Sequence, residues 1–200
     1  MNSAIPTITS LKHPRQPGCI RLAAVLLCAF GLIAPESRGN TATGDAQYAF
    51  LSDHFTPGTL HTPAILWITG EVRQQARTLL DHEIDTPRIR YWAEEGKTAW
   101  ILEEVGKELP ITIGVLVNNQ RIAEVRILKY RESRGGEVAY PFFTRQFRGL
   151  ELTEPARQSS VAALSGHIDG ITGATLSVNA VKKVAALALL FDRQASAQGD

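Results

Sequence analysis

The sequence predicts an α+β domain in which helices pack on a mostly antiparallel sheet, and three observations predict this fold class. Residues 69–80 have the apolar spacing of an amphipathic helix. Residues 88–105 and 111–128 each contain two strand-like runs around a short polar turn, which is typical of β-hairpins. Residues 177–191 return to helical periodicity. Hairpins between two helices indicate one α+β domain.

The first 45 residues predict a signal peptide or an N-terminal anchor. Basic side chains at positions 12, 15 and 21 precede an apolar run of 13 residues, LAAVLLCAFGLIA, and small and polar residues follow it. This run is shorter than the roughly 20 residues of a transmembrane helix. No clean cleavage site is evident, so cleavage and retention as an anchor both stay open. We expect a leader at residues 1–45, one domain at residues 46–200, and a periplasmic location.

The composition excludes several functional classes. The chain has 21 basic and 20 acidic side chains, so it lacks the positive surface that nucleic-acid binding requires. Cys19 and Cys28 both lie in the leader, which leaves the domain without thiols for disulfides, iron–sulfur clusters or c-type haem. The histidines show no metal-binding spacing. We therefore expect no metal site, and no catalytic triad or pair of carboxylates is evident.

The elements of the domain are predicted in order from local patterns. The run AQYAFLSDHF predicts a short helix or an edge segment, and a loop follows between Pro57 and Pro63. The next helix has Thr69 as its N-cap and is expected to end at residues 85–87. Its apolar face consists of Val72, Ala76, Leu79 and Leu80.

The two hairpins follow directly. The first turns at residues 94–97, and the second is predicted to turn at Asn118 and Asn119. One strand of the second hairpin places four β-branched side chains on one face, Ile111, Ile113, Val115 and Val117.

Residues 129–152 break the periodicity and are rich in arginine, glycine and aromatic residues. Two interpretations stay open, because long irregular segments within compact domains are often functional. In the other interpretation the arginines are solvated and the aromatic side chains simply cover the sheet, namely Tyr140, Phe142, Phe143 and Phe147.

The last helix is predicted from about residue 177 to residue 191, and roughly 11 to 14 of its residues are expected to pack as a core helix against the sheet. Its apolar face is marked by Val181, Val184, Ala185 and Ala188. Asn179, Lys182 and Lys183 are expected to point outward.

The stretch DGITGATLS, residues 169–177, precedes that helix. Gly170 and Gly173 suggest backbone conformations that other residues avoid. Small hydroxyl side chains at a helix start, beside unpaired backbone amides, favour an anion such as phosphate. The same residues also suit a simple N-cap by Thr172 or Thr175.

These nine residues resemble the flavinylation motif of the FMN-binding domain family, D-x-[IL]-[ST]-G-A-T-x-[ST]. This family includes the flavin subunits of the Rnf and sodium-pumping NADH–quinone reductase complexes. The resemblance continues upstream through GVLVNNQRIAEVRILKYRESRGGEV and FFTRQFRG, and covers roughly residues 110–191. It departs from the family at residues 132–136, ESRGG, where the family usually has E-T-P-G-x-G.

In this family a flavin transferase takes FMN from FAD and joins its phosphate to the last threonine of the S/T-G-A-T core. The resemblance therefore implies covalent FMN on Thr175, with Ser177 and backbone amides as donors to the phosphate. It implies a wider set of cofactor-binding residues, comprising Asp169, Thr172, Gly173, Ala174, Leu176, Ser177, Glu132 and Gly135. Glu132 and one of Arg134, Arg145 and Arg148 are candidates for tuning the flavin ring.

The sequence thus predicts a periplasmic electron-transfer flavoprotein whose partners are a flavin transferase and a membrane or periplasmic redox protein. Two alternatives stay open. The chain could be a flavin-dependent reductase of a small acceptor, or an accessory or sensory domain that has lost its flavin.

Overall fold

The computed structural model describes residues 38–153 and 163–198. The predicted leader therefore lies outside the described residues up to position 37. The helices are α1 Arg38–Ser52, α2 Pro57–His61, α3 Gly70–Leu80, α4 Pro141–Thr144 and α5 Thr175–Gln198. The strands are β1 Ala64–Trp67, β2 Arg88–Glu94, β3 Lys97–Val105, β4 Pro110–Asn118 and β5 Arg121–Lys129. Two 3₁₀ turns, Gly136–Ala139 and Arg145–Phe147, flank α4.

The five strands form one antiparallel sheet in the order β1-β2-β3-β4-β5, which confirms the predicted α+β fold. Each strand pairs with the next one along the chain, because short turns join β2 to β3 and β4 to β5. Glu95 and Gly96 turn the first hairpin at φ 50° and 77°. The second hairpin turns at Asn119 and Gln120, with φ 50° and 63°, one residue later than predicted. Two successive positive φ angles suit the right-handed twist of paired strands.

One face of the sheet supports the main core. The four alternating β-branched side chains of β4 are fully buried there, as predicted, beneath α5, and α3 packs against α5 in the same core. Trp100 of β3 is also fully buried; its ring stacks on Tyr91 at 4.6 Å and contacts Phe191 of α5 at 5.6 Å, both between ring centroids. The apolar surface removed from water on this face is the main force that holds α5 against the sheet.

The opposite face of the sheet is covered by α1. Phe50 of α1 lies so close to Gly114 that a Cβ at position 114 would be 2.8 Å from the phenyl ring. A glycine in mid-strand is thus explained by the close approach of a helix. The sequence pattern indicated a short helix or an edge segment here, and the structure has the helix. Helix α1 begins at Arg38, inside the segment assigned to the leader.

Several predicted boundaries are wrong. The segment predicted as a loop between Pro57 and Pro63 contains α2. The edge strand β1 that follows it was not predicted, because its four residues are too few for a clear alternation. Helix α3 begins at its Thr69 cap as predicted but ends at Leu80, because Asp81 adopts a left-handed conformation with φ 64°.

The last helix is longer than predicted, with 24 residues, and its two lysines are not outward. Lys182 is 8% exposed, and its Nζ donates to the carbonyl of Ile168 at 3.0 Å. Lys183 Nζ donates to the carbonyl of Leu80 at 2.5 Å, at the C-terminus of α3. Sequence periodicity missed this burial because the covering groups, a loop and a second helix, are remote in the chain.

Candidate functional site

Thr175 is the first residue of α5 and is exposed to solvent. Its hydroxyl group forms no hydrogen bond with any described residue. It is therefore available for reaction with an enzyme or ligand that approaches from solvent. Thr172 is exposed too, and no described amide uses its hydroxyl as a cap. The simple N-cap interpretation of the motif is therefore wrong for Thr172 and Thr175 in this part of the chain.

The loop before Thr175 turns sharply into the helix. Gly173 has φ 80°, a left-handed conformation in which glycine is favoured, and the Ala174 amide donates to the Ile171 carbonyl at 3.0 Å. Gly170 differs from the prediction, because its φ is not left-handed and a Cβ there would meet no atom within 4 Å. Regular hydrogen bonding begins when Val178 donates to the Ala174 carbonyl at 2.9 Å. The amides of residues 175–177 precede that bond and point out of the helix start, which favours an anion.

Two long-range hydrogen bonds fix the loop. The buried ammonium of Lys182 holds the carbonyl of Ile168 from within α5, and burial lowers the pKa of this lysine. Gln146 Oε1 accepts from the amide of Asp169 at 2.7 Å. The Asp169 side chain itself is exposed and lies 3.4 Å from His167. Asp169 therefore helps to position the motif through its backbone.

Gly135 packs against the motif from the irregular segment. Its φ is 85°, and a Cβ at this position would lie 3.0 Å from Ala174 Cβ and 3.1 Å from Ser177 Oγ. Ser177 is 4% exposed, and its hydroxyl lies 3.0 Å from the Tyr130 hydroxyl. Tyr130 in turn donates to the carbonyl of Arg134. These contacts make Ser177 and Gly135 the junction between α5 and residues 130–135.

The Glu132 carboxylate closes the turn between β3 and β4. Its Oε1 atom accepts hydrogen bonds from three successive amides, those of Lys107 at 2.6 Å, Glu108 at 2.7 Å and Leu109 at 2.9 Å. These amides, with Leu109 and Glu108 the strongest, hold the pKa of Glu132 below its ordinary value. The sequence suggested Glu132 as a group that tunes a flavin ring; the structure adds a structural role in anchoring the turn.

A cleft of about 390 Å³ lies between that turn and the start of α5. It is lined on one side by residues 173–177 and on the other by Lys107, Glu108 and residues 132–134. Five of the predicted motif residues and Glu132 therefore meet at one cleft. Asp169, Thr172 and Gly135 do not line it. Of the three candidate arginines, Arg134 lines this cleft, whereas Arg145 and Arg148 line a separate cavity of about 490 Å³.

Lys107 and Glu108 are lining residues that sequence reasoning missed. They lie in a hairpin turn that carries no motif, and only the tertiary fold brings this turn against α5.

Residues 106–190 match the model of a protein family described as FMN-binding domain. The chain contains an FMN-binding domain. The match begins at the turn before β4 and ends within α5, so it includes both walls of the cleft. A search of curated proteins found no match. The chain is accordingly a flavin-binding protein, as the resemblance in sequence predicted.

A larger cavity, of about 890 Å³, lies at the opposite end of α5. Its walls include Tyr91, Lys97 and Asp192, and none of the motif residues. Asp192 is 4% exposed and accepts hydrogen bonds from Thr98 and Gln120, both at 2.5 Å. Size alone therefore does not single out a candidate site; the free hydroxyl and the helix amides distinguish the smaller cleft.

The residues of the smaller cleft fit FMN. Its volume lies in the range of roughly 300 to 1,000 Å³ that is usual for ligand sites. The unpaired helix amides suit a phosphate, and the threonine hydroxyl is open beside them. In the described residues no group of three or more His, Cys, Asp or Glu side chains is placed to hold a metal ion. No helix within residues 38–153 and 163–198 is long and apolar enough to cross a membrane.

Proposed function

We propose that this protein is an exported electron-transfer flavoprotein that carries FMN on Thr175 through a phosphoester. The observation that carries the proposal is the free, exposed Thr175 hydroxyl at the start of α5, on the wall of the cleft. A reactive oxygen, unpaired amides and a cleft meet at this one position. The larger cavity around Asp192 offers no comparable group.

A flavin transferase would form the bond. Thr175 Oγ1 attacks the phosphorus of the FMN half of FAD, the pyrophosphate P–O bond breaks, and AMP leaves. The hydroxyl proton passes to the transferase base and then to solvent, so that no oxidant or reductant is consumed. The small neighbours Gly173 and Ala174 leave room for the active site of such an enzyme.

The chain itself would hold the phosphate and position the ring. The phosphodiester keeps one negative charge, which the amides of residues 175–177 and the helix dipole stabilise. Lys107 and Arg134 are the cations of the cleft, although Lys107 pairs with Glu108 of the same wall at 3.2 Å. The Glu132 carboxylate keeps this wall in place. The isoalloxazine supplies the electron chemistry that no side chain here can supply.

Export explains the value of a covalent bond, because a dissociated cofactor would be lost by dilution outside the cytoplasm. The leader predicted at residues 1–45 supports this location. The redox partner would be a membrane or periplasmic protein.

Intact-protein mass spectrometry tests the proposal. Coexpression with a flavin transferase should add the mass of FMN less one water to the wild-type chain. Thr175→Ala should abolish this gain completely, because the nucleophilic oxygen is removed. Thr172→Ala is the matched control, since it removes an exposed hydroxyl of the same loop outside the cleft, and it should keep the full gain.

An unmodified wild-type chain would contradict the proposal and leave the accessory-domain alternative. A Thr175→Ala chain that still gained the mass would place the attachment at another residue. Both outcomes are read from mass alone, without an activity assay.

A further inference from the structure

Two aromatic side chains are exposed on the irregular segment beside the motif. Tyr140 is 57% exposed and Phe142 is 60% exposed, and their rings lie edge to face with centroids 6.2 Å apart. Their neighbours Phe143 and Phe147 are fully buried. Packing against the sheet therefore explains the second pair but not the first. The idea that all four aromatic residues cover the sheet is correct for two of them only.

Two arginines accompany this aromatic pair. Arg145 and Arg148 are exposed, and no described residue forms an ion pair with either of them. Arg126, which lines the same cavity, is instead paired with Asp53 at 2.7 Å and with Glu124 at 2.6 Å. We call Tyr140, Phe142, Arg145 and Arg148 the aromatic–arginine patch. Its two arginines form no ion pair with the described part of the chain, although Glu124 lines the same cavity.

The segment that carries the patch has two contacts with the cleft and its motif loop. Upstream of it, Gly135 packs against Ala174 and Ser177, and Arg134 lines the cleft. Next to Arg145 in the chain, Gln146 accepts a hydrogen bond from the Asp169 amide of the motif loop. The patch residues therefore lie on a segment that is tied to the motif loop at positions 135 and 146.

We infer that the aromatic–arginine patch is the docking surface for a redox partner protein with an acidic surface around its own redox centre. This inference rests on the proposed function. Aromatic and arginine side chains are enriched at the cores of protein interfaces, and unpaired positive charge selects a negative partner. A protein occupant is favoured over a lipid surface because an electron carrier must bring a second redox centre close to its own cofactor. A lipid headgroup carries no such centre.

Electron-transfer kinetics with defined proteins test the inference. The flavin-loaded, reduced protein is mixed with a small acidic cytochrome or a small basic cytochrome, and the second-order rate constant is measured by stopped flow. Reversing both charges, Arg145→Glu with Arg148→Glu, should slow the reaction with the acidic cytochrome about tenfold or more at low salt. The difference in rate between the wild type and this variant should shrink at high salt, because the Debye length falls to roughly 3 Å at 1 M salt. Reaction with the basic cytochrome should not slow.

The matched control reverses two other exposed arginines, Arg88→Glu with Arg90→Glu. Both lie in β2, three strands away from the β5 edge, and the change in net charge is identical. This control should alter the rate by less than about twofold. Phe142→Ser tests the aromatic part of the patch. This variant should lower the second-order rate constant with the acidic cytochrome at low salt and at high salt.

Three outcomes would overturn the inference. One is a rate that the patch variants leave unchanged while mass spectrometry shows full flavin loading; the proposed function would then survive without this surface. Another is an equal loss in the β2 control, which would assign the effect to overall charge. The third is patch-dependent binding to phosphatidylserine vesicles together with unchanged cytochrome rates, which would make the patch a membrane contact. A wild-type chain without flavin mass would refute the proposed function, and the docking inference with it.

Discussion

At its N-terminus α5 presents the Thr175 hydroxyl to solvent, whereas near its C-terminus the same helix buries Phe191 and Asp192. Both ends line a cavity, and the cavity at the buried end is more than twice as large. The two ends differ in what their polar groups already bind. The Thr175 hydroxyl has no partner among the described residues, whereas two side chains donate to Asp192. A site is recognised by the groups that the fold leaves unsatisfied, and its volume is a weaker guide.

The acids near the two ends show the same contrast. Three backbone amides around Glu132 lower its pKa, because they stabilise the charged form. Burial raises the pKa of Asp192, and the hydrogen bonds from Thr98 and Gln120 only partly offset it. One acid is therefore held charged and the other is pushed towards its protonated form. Four predictions follow the contrast, ordered by the size of the expected effect.

Phe191→Ala should lower the free energy of unfolding by about 3 to 5 kcal/mol, because it leaves a cavity beside Trp100 in the main core. The control at the other end of α5 is Leu176→Ala. Leu176 is 52% exposed, so this change should stay within about 0.5 kcal/mol. Chemical denaturation measures both. Equal losses would mean that the two ends of the helix are packed alike.

Gly135→Ala should destabilise the domain by about 1 to 3 kcal/mol and reduce flavin loading. Its φ of 85° disfavours a side chain, and the new Cβ would crowd Ala174 and Ser177. Gly170→Ala is the matched control in the motif, because its Cβ would meet nothing within 4 Å. It should be neutral in stability and in the mass of attached flavin. Normal loading of Gly135→Ala would show that this junction does not shape the cleft.

Asp192→Asn should remove a pH-dependent loss of stability. In the wild type the raised pKa means that the stability contributed by protonated Asp192 is complete below the ordinary aspartate pKa of about 4. That contribution is lost as the pH rises through the folded-state pKa, with a slope of at most about 1.4 kcal/mol per pH unit. Denaturation across this range should show a flatter profile for Asp192→Asn. A profile identical to that of the wild type would contradict a raised pKa of Asp192.

Glu132→Gln should change the pH dependence of stability in the opposite direction to Asp192→Asn. The change should be smaller, because Glu132 lies at the surface. The lowered pKa of Glu132 contributes stability that is present above the ordinary glutamate pKa and is lost as the pH falls through the folded-state value. The glutamine retains an acceptor but not the charge, so the acid-induced loss should become smaller. Hydrogen exchange of the Lys107, Glu108 and Leu109 amides should become faster in the variant. Unchanged exchange would mean that the carboxylate does not hold this turn.

Much of the fold could be predicted from sequence because its signals are local. Thr69 caps α3 as expected, and the apolar face of α3 is buried as the 3.6-residue period predicts. The alternating strand of the second hairpin is β4, with its predicted face fully buried. The failures are also local in origin. Strand β1 is too short to show a period, and a left-handed Asp81 ends α3 where no glycine or proline marks the end.

The candidate site was predicted only in part. The motif predicted Thr175 and its neighbours as site residues, and residues 173–177 do line the cleft. The opposite wall was not predictable as a set, because Lys107, Glu108 and Glu132 meet through contacts between a hairpin turn and the segment after β5. The sequence showed that the segment of the aromatic–arginine patch is rich in arginine. It did not show that Arg145 and Arg148 lack ion-pair partners among the described residues.

The sequence by itself determined the α+β class, the position of the threonine before the last helix and the family of the domain. Each of these properties depends on a pattern within a contiguous run of residues. Only the tertiary structure decided which hydroxyl stays free, which lysine is buried and which acid is held charged. These properties depend on solvent exposure and on hydrogen-bond partners that are remote in the chain, and no local pattern encodes either.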